Sequence, residues 1–217
     1  MSVRFRPTPP VETGEDQRLR WQADLAHVHE LSAAEKKARE EENASEHTHT
    51  VVQGWLRDLG HQLGFDVWVA SNDRSRTFGS GQLGDGCLAQ VPFAVGNIKD
   101  GEAVRLIDLL WFERGSGKPA AAFEVEHSTS IYSGIVRMLD LALGVQDDHT
   151  GIRLFLVAPE KRESEVSAQL QRPAFRGVHG VQFMFIPYGE LEKNREAMAK
   201  FGNGLKAIDA IARRLSG

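Results

Sequence analysis

Three acidic side chains stand where the sequence otherwise spells buried strand. Asp108 interrupts the run Leu106-Ile-Asp-Leu-Leu-Trp-Phe112, and Glu124 and Glu126 sit two residues apart in Ala120-Ala-Ala-Phe-Glu-Val-Glu-His-Ser128. Side chains alternate along a strand, so the two glutamates leave the same face. If the two strands are neighbours, three carboxylates converge on one spot. Such charges repel one another and are costly to desolvate, so the cluster calls for a cation. Ligands that are all oxygen favour a hard ion, Mg²⁺ or Mn²⁺, over zinc. The structural readings stand beside this one. Asp108 could be satisfied by backbone donors or by Arg105, and the glutamates could pair with Lys or Arg on an exposed strand face. The apolar flanks, Ala-Ala-Ala-Phe before the glutamates and Ile131-Tyr132 after them, argue for a central strand.

These residues resemble the PD-(D/E)XK nuclease superfamily, of restriction-endonuclease-like fold. Its signature is an Asp at the end of one strand, then an acid-x-Lys triplet in the next. Asp108 matches the Asp and Glu124 the acid, while Glu126 stands at the Lys position and Ile107 where a Pro is usual. The resemblance covers roughly Glu46 to Tyr188. It implies a mixed central sheet flanked by helices, an α/β fold, with Asp108, Glu124 and Glu126 catalytic. It also implies a metal held by Asp108, Glu124 and the backbone carbonyl of Val125. Such an ion would activate a water and neutralise charge on a phosphate, with Glu126 orienting that water or binding a second ion. Glu46 begins the preceding helix, where many members place an acid that completes the metal shell. Against this, Asn43-x-x-Glu46 looks like a capping box, and Glu46 lies off the apolar stripe of its helix.

Around this centre lie further candidates. Ser128 shares the glutamate face and could bind a phosphate or cap a helix; His127 points the opposite way. Arg74 and Arg76, in the Gly-rich stretch 72–101, and Lys118, in the turn Arg114-Gly-Ser-Gly-Lys-Pro119, are candidates for contacting DNA, against a reading as plain solvated surface. Arg137 falls on the outer face of its helix, where solvation is the ordinary state. His47 and His49 find no partners at zinc-ligand spacing. The single cysteine, Cys87, excludes a disulfide framework and a Cys-rich zinc site, and no paired base marks it as a nucleophile.

The elements that must position these residues follow from periodicity. Val52, Trp55, Leu56, Leu59 and Leu63 make the apolar stripe of a helix over about 45–63, stopped by Gly64, and Phe65–Ala70 reads as a strand. The stretch 72–101 is irregular, with a small hairpin expected around Cys87–Val95. After the acidic hairpin, a helix over 130–143, a strand over 153–158, a helix over 163–170 and a strand over 181–186 imply right-handed crossovers. Three regions result: an N-terminal arm and helical extension over 1–44, a nuclease-like core over 45–190, and a C-terminal helical segment over 191–217, broken at Gly202-Asn-Gly204. In the extension, Trp21, Leu25, Val28 and Leu31 are spaced as an amphipathic helix.

Composition fits a soluble α/β domain: 217 residues, 41% hydrophobic, 26% charged, with no apolar run of membrane-spanning length and no signal-peptide core. A cytoplasmic setting without a membrane partner is expected. The formal net charge of −4 counts against indiscriminate nucleic-acid binding but leaves local basic patches open. The resemblance implies a divalent-metal-dependent endonuclease acting on DNA, in restriction, other defence or repair. Cutting both strands with one site per chain implies a homodimer. Two other classes remain open: a catalytically inactive nuclease-fold module serving as a nucleic-acid-binding or protein-interaction scaffold, and a phosphodiesterase acting on RNA or nucleotides.

Overall fold

A computed structural model describes Lys37, Glu41 and Val95 together with 44–92, 102–127, 131–145, 151–176 and 181–215. The chain divides into two units, Met1–Ala44 and Ser45–Gly217. In the first, Lys37 and Glu41 are helical and form an ion pair at 3.8 Å. The amphipathic helix expected at Trp21–Leu31 lies outside the described residues.

The second unit is built on one mixed sheet. Its strands are β1 (Phe65–Val69), β4 (Leu109–Glu113), β5 (Pro119–Val125), β6 (Arg153–Ala158), β7 (Phe183–Pro187) and β8 (Arg213–Arg214), ordered β1-β4-β5-β6-β7-β8. The pairs β1/β4 and β4/β5 are antiparallel, β5/β6 and β6/β7 parallel, and β7/β8 antiparallel. The parallel pairs need crossovers, which α2 (Ile131–Gly144) and α3 (Glu163–Leu170) help to supply. The short α4 (Pro173–Arg176) follows α3; beyond β7 come α5 (Tyr188–Phe201) and α6 (Leu205–Asp209). A helix over 44–62, α1, precedes β1. The architecture agrees with the restriction-endonuclease-like sheet flanked by helices that the sequence implies.

Two apolar layers enclose the sheet. On one face, Val52, Leu56 and Leu59 of α1 and Leu63 just after it, with Leu191, Met198 and Ile208, pack on Val67, Leu109, Trp111, Phe123 and Phe155. Together with Phe65 of β1, the three aromatics of this layer run across neighbouring strands. Phe65 and Trp111 have centroids 5.2 Å apart, Trp111 and Phe123 4.5 Å, and Phe123 and Phe155 5.0 Å. Each such pair contributes about 0.5–1.5 kcal/mol beyond its buried area. Gly60 lets α1 approach this row, since a Cβ there would lie 2.6 Å from Trp111 Nε1. On the other face, Ile131, Ile135, Met138, Leu141 and Ala142 of α2 pack on Leu110, Phe112, Ala122, Leu154 and Leu156.

Three expectations are corrected. The small hairpin of the Gly-rich stretch lies at β2 (Thr77–Phe78) and β3 (Gly81–Gln82), not around Cys87–Val95. The C-terminal segment is not helical throughout, for β8 adds an antiparallel edge strand. The strand bearing Asp108 begins one residue after it: Val104–Leu106 is a turn of 3₁₀ helix, and β4 starts at Leu109. Among the described residues, no helix is long and apolar enough to cross a membrane.

Candidate active site

Asp108 sits in a bend, outside the regular alternation of β4, and that frees its carboxylate from the face its number would assign. Its backbone carbonyl accepts from Ala70 N–H at 3.0 Å, tying it to the end of β1. Its Oδ2 accepts the backbone N–H of Val125 at 2.7 Å. In effect the side chain completes the β4/β5 ladder where the main chain has left it. The other oxygen turns toward α1: Gln53 Nε2 donates to Oδ1 at 3.2 Å, and His49 Nε2 lies 3.5 Å away. Asp73, in the turn after β1, joins from the other side, accepting from Gln53 Nε2 at 2.8 Å and lying 3.9 Å from His49 Nε2.

His49, Asp73 and Asp108 each offer a donor atom within 4.8 Å of the others, the one set of three His, Cys, Asp or Glu so arranged among the described residues. Both acids are buried, and Gln53 behind them is fully so. Burial alone would push the His49 imidazole down. Hydrogen bonds to Asp108 and then Asp73 outweigh it and hold His49 up at about 10. Asp73 is conversely held below the usual carboxylate range: burial works upward, but His49 and Gln53, with Arg76 behind, prevail. The pocket of carboxylates therefore already stabilises a positive charge, carried by a proton on His49.

The glutamates face the other way. Glu124 is completely buried and Glu126 nearly so, both beneath α2. A Cβ on Gly134 would come 2.7 Å from Glu126 Oε1 and 3.2 Å from Glu124 Cγ, so the helix lies on the pair only because residue 134 has no side chain. One turn further on, Arg137 closes a fork on Glu124. Its Nε donates to Oε1 at 2.9 Å and its Nη2 to Oε2 at 2.7 Å. Burial, and then the charge of Asp108, push Glu124 above the usual carboxylate range, against the pull of Arg137. Asp108 is therefore close enough to be felt electrostatically, although its hydrogen bonds lie on the α1 side.

The strands thus pair as expected, but the three acids divide into two groups. Val125 lies between them, its N–H on Asp108. Glu46 stands apart on the first turns of α1, in an ion pair with Arg76 Nη2 at 3.1 Å, and its side chain is 61% exposed. Arg76 also reaches Asp73 Oδ1 with Nε at 2.9 Å, so it backs the α1-side group. Arg74 is spent within its own loop, donating to the Leu88 carbonyl at 2.7 Å and covering the Trp68 ring at 5.1 Å. Lys118 is exposed in the β4–β5 turn. Ser128 lies outside the described residues. His127 stacks on Tyr188 at 5.9 Å, on the α1/α5 side and away from the glutamates.

Sequence reasoning missed His49, Gln53 and Asp73, and placed Arg137 in solvent, where the structure holds it on a buried carboxylate. A signal existed for each helix. His49, Gln53 and Leu56 follow one another at four and three residues, so the polar pair extends the buried stripe of α1. Gly134 and Arg137 share a face of α2 with buried Leu141. Nothing local marks Asp73 as part of the site, for the residues it meets there, Gln53 and His49, are 20 and more residues away; its near neighbour Arg76 reads only as an ordinary i,i+3 ion pair.

Residues 30–214 match the family described as the Type II restriction enzyme NmeDI C-terminal domain. The chain belongs to this family. A curated relative, the Type II restriction enzyme NmeDI of Neisseria meningitidis serogroup C, is 31% identical over 152 residues, which cover 67% of this chain and 41% of the relative. The chain thus spans about two fifths of that relative's length. No solved structure matches.

Proposed function

We propose that this chain is a divalent-metal-dependent endonuclease that hydrolyses phosphodiester bonds in DNA, in a restriction or defence role. Membership of a family named for a restriction enzyme supports the substrate class. The observation that carries the chemistry is the buried set His49, Asp73 and Asp108 at the end of β4, already arranged to hold a positive charge.

The donors fit a divalent cation. Two carboxylates and one imidazole suit a first-row ion such as Mn²⁺ better than Mg²⁺, which prefers oxygen throughout. Bound there, the ion would supply Lewis-acid stabilisation of a phosphate and a nucleophile at neutral pH. The protein's own residues do the rest. Gln53 bridges both aspartates and fixes their separation. The Val125 N–H orients Asp108 and, as a strand-end donor, removes the freedom to rotate away. His49 and Gln53, with Arg76 behind them, hold Asp73 below the usual carboxylate range. Glu126, buried at the same strand end, is the candidate to orient an attacking water. A pair of such chains related by a two-fold axis would cut both strands of a duplex.

The test is incubation of the purified chain with supercoiled plasmid and with RNA, in Mg²⁺, Mn²⁺ or EDTA. Nicking or linearisation of plasmid that depends on the metal and is strongly reduced in Asp108→Ala is the expected result. Cleavage of RNA alone would move the substrate class. Tight DNA or protein binding without cleavage in any metal would identify a scaffold instead.

A further inference from the structure

An acidic residue, Glu126, stands two positions after Glu124, and the fold brings a cation to Glu124 from elsewhere. Arg137 reaches down from α2 and sets Nε and Nη2 on the two oxygens of a carboxylate that is 1% exposed, while its own side chain is 23% exposed. The charged pair therefore has a buried end and an open end, and the open end is positive. A guanidinium carries five N–H donors. Among the described residues, its hydrogen bonds run through Nε and Nη2 alone, both to Glu124.

As a stabilising device the pair is a poor one. Burying two charges costs about as much as their attraction returns, and apolar replacements of similar shape are often neutral or better. What the pair does supply is a guanidinium whose direction is fixed from behind. Such a group is suited to an anion with tetrahedral oxygens, for which a planar fork gives both charge and geometry. Its location suits that role. Glu124 lies at the carboxyl end of β5, and β6 runs parallel beside it. In open sheets, ligands bind outside such strand ends. Gly134, one turn before Arg137, sets the distance at which the helix carries the guanidinium over the site.

We infer that Arg137 is a phosphate-binding residue of the cleavage site, and that Glu124 is its buried anchor. This rests on the proposed action on DNA. Binding of a fluorescent DNA duplex to the full chain is measured by anisotropy in EDTA over a range of KCl, for wild type, Arg137→Met and Arg137→Lys. Loss of one phosphate contact should lower the slope of log K against log salt by about 0.9 in Arg137→Met. Arg137→Lys keeps the charge and should keep the slope. Mn²⁺ titration by calorimetry should show no weakening in Arg137→Met, because on this assignment Glu124 anchors the guanidinium rather than ligating the metal. Should Arg137→Met fail to fold with its carboxylate stranded, the double variant Glu124→Gln/Arg137→Met removes both charges and carries the same slope readout. An unchanged slope in whichever variant folds overturns the assignment. So does weakened Mn²⁺ binding with the slope intact, which would make Glu124 a metal ligand and Arg137 its holder. Wild-type protein that shows no salt-dependent duplex binding defeats the DNA reading itself, and Arg137 falls with it.

Discussion

On the α1 face, Asp73 and Asp108 share a histidine and a bridging amide; on the α2 face, Glu124 is gripped by an arginine. Both groups are buried acids at one end of the same sheet, so burial does not distinguish them. The counter-charge does. A histidine can surrender its proton to an incoming metal, whereas an arginine keeps its charge at every accessible pH. On the proposed reading, one group is thus an exchangeable seat for a cation and the other a permanent dipole with its positive end outward.

The largest test of this contrast is Asp108→Ala. It removes a donor from the exchangeable seat and should lower plasmid cleavage in Mn²⁺ by roughly 10²–10³-fold, the loss typical of a preorganised electrostatic group. Clustered acids often cost stability, yet this one accepts the Val125 N–H and a Gln53 donor, so its removal should also lower Tm. A rise in Tm by calorimetry would show that repulsion, not hydrogen bonding, dominates the α1 group.

Next comes Gly134→Val, which attacks the other side. The added atoms meet Glu126 and Glu124, the helix must lift, and a cost of about 1–3 kcal/mol follows from overpacking. Urea unfolding measures it; an unaltered midpoint would mean that α2 does not depend on close approach to the acids.

The third prediction uses pH. His49 stands at about 10 in the fold against an ordinary 6.5. A raised pKa contributes stability that is complete below the unfolded value and lost as pH rises through the folded one. In EDTA, Tm should therefore decline between pH 6.5 and about 10, and His49→Gln should flatten that decline. Mn²⁺ affinity should rise across the same window, because the metal requires the neutral ring. A wild-type profile as flat as the variant's would remove His49 from the charge balance. The smallest effect belongs to Lys118→Ala, exposed and distant from both groups: a stability change within about 0.5 kcal/mol by urea titration.

Much of the scaffold was legible in the order of residue types. Arg153–Ala158 and Glu163–Leu170 fall where periodicity puts them, because a continuous apolar run and a charged 3.6-residue pattern leave little choice. The inward residues of α2 were legible for the same reason. The acids themselves were visible, since charge inside an apolar strand is conspicuous. Their grouping was not. Alternation places side chains only while the strand continues, and Asp108 lies one residue beyond its end. Asp73 is brought in by a turn, and β8 by two arginines that no β-propensity would select. These are long-range outcomes of how the chain closes on itself.

The two rims of the sheet bear on how copies of this chain could associate. At one rim, the loop after β3 hydrogen-bonds to β1, with Leu88 N–H on the Val67 carbonyl at 2.8 Å. At the other, β8 is two arginines long, and Arg213 is tied to Glu160 and Glu163. A neighbouring strand would meet an occupied acceptor at the first rim, and a two-residue cationic ladder at the second. Short, charged or covered edges are how sheets avoid polymerising. Were two copies to pair as proposed above, they would join through helices or loops, leaving each sheet complete within its own chain.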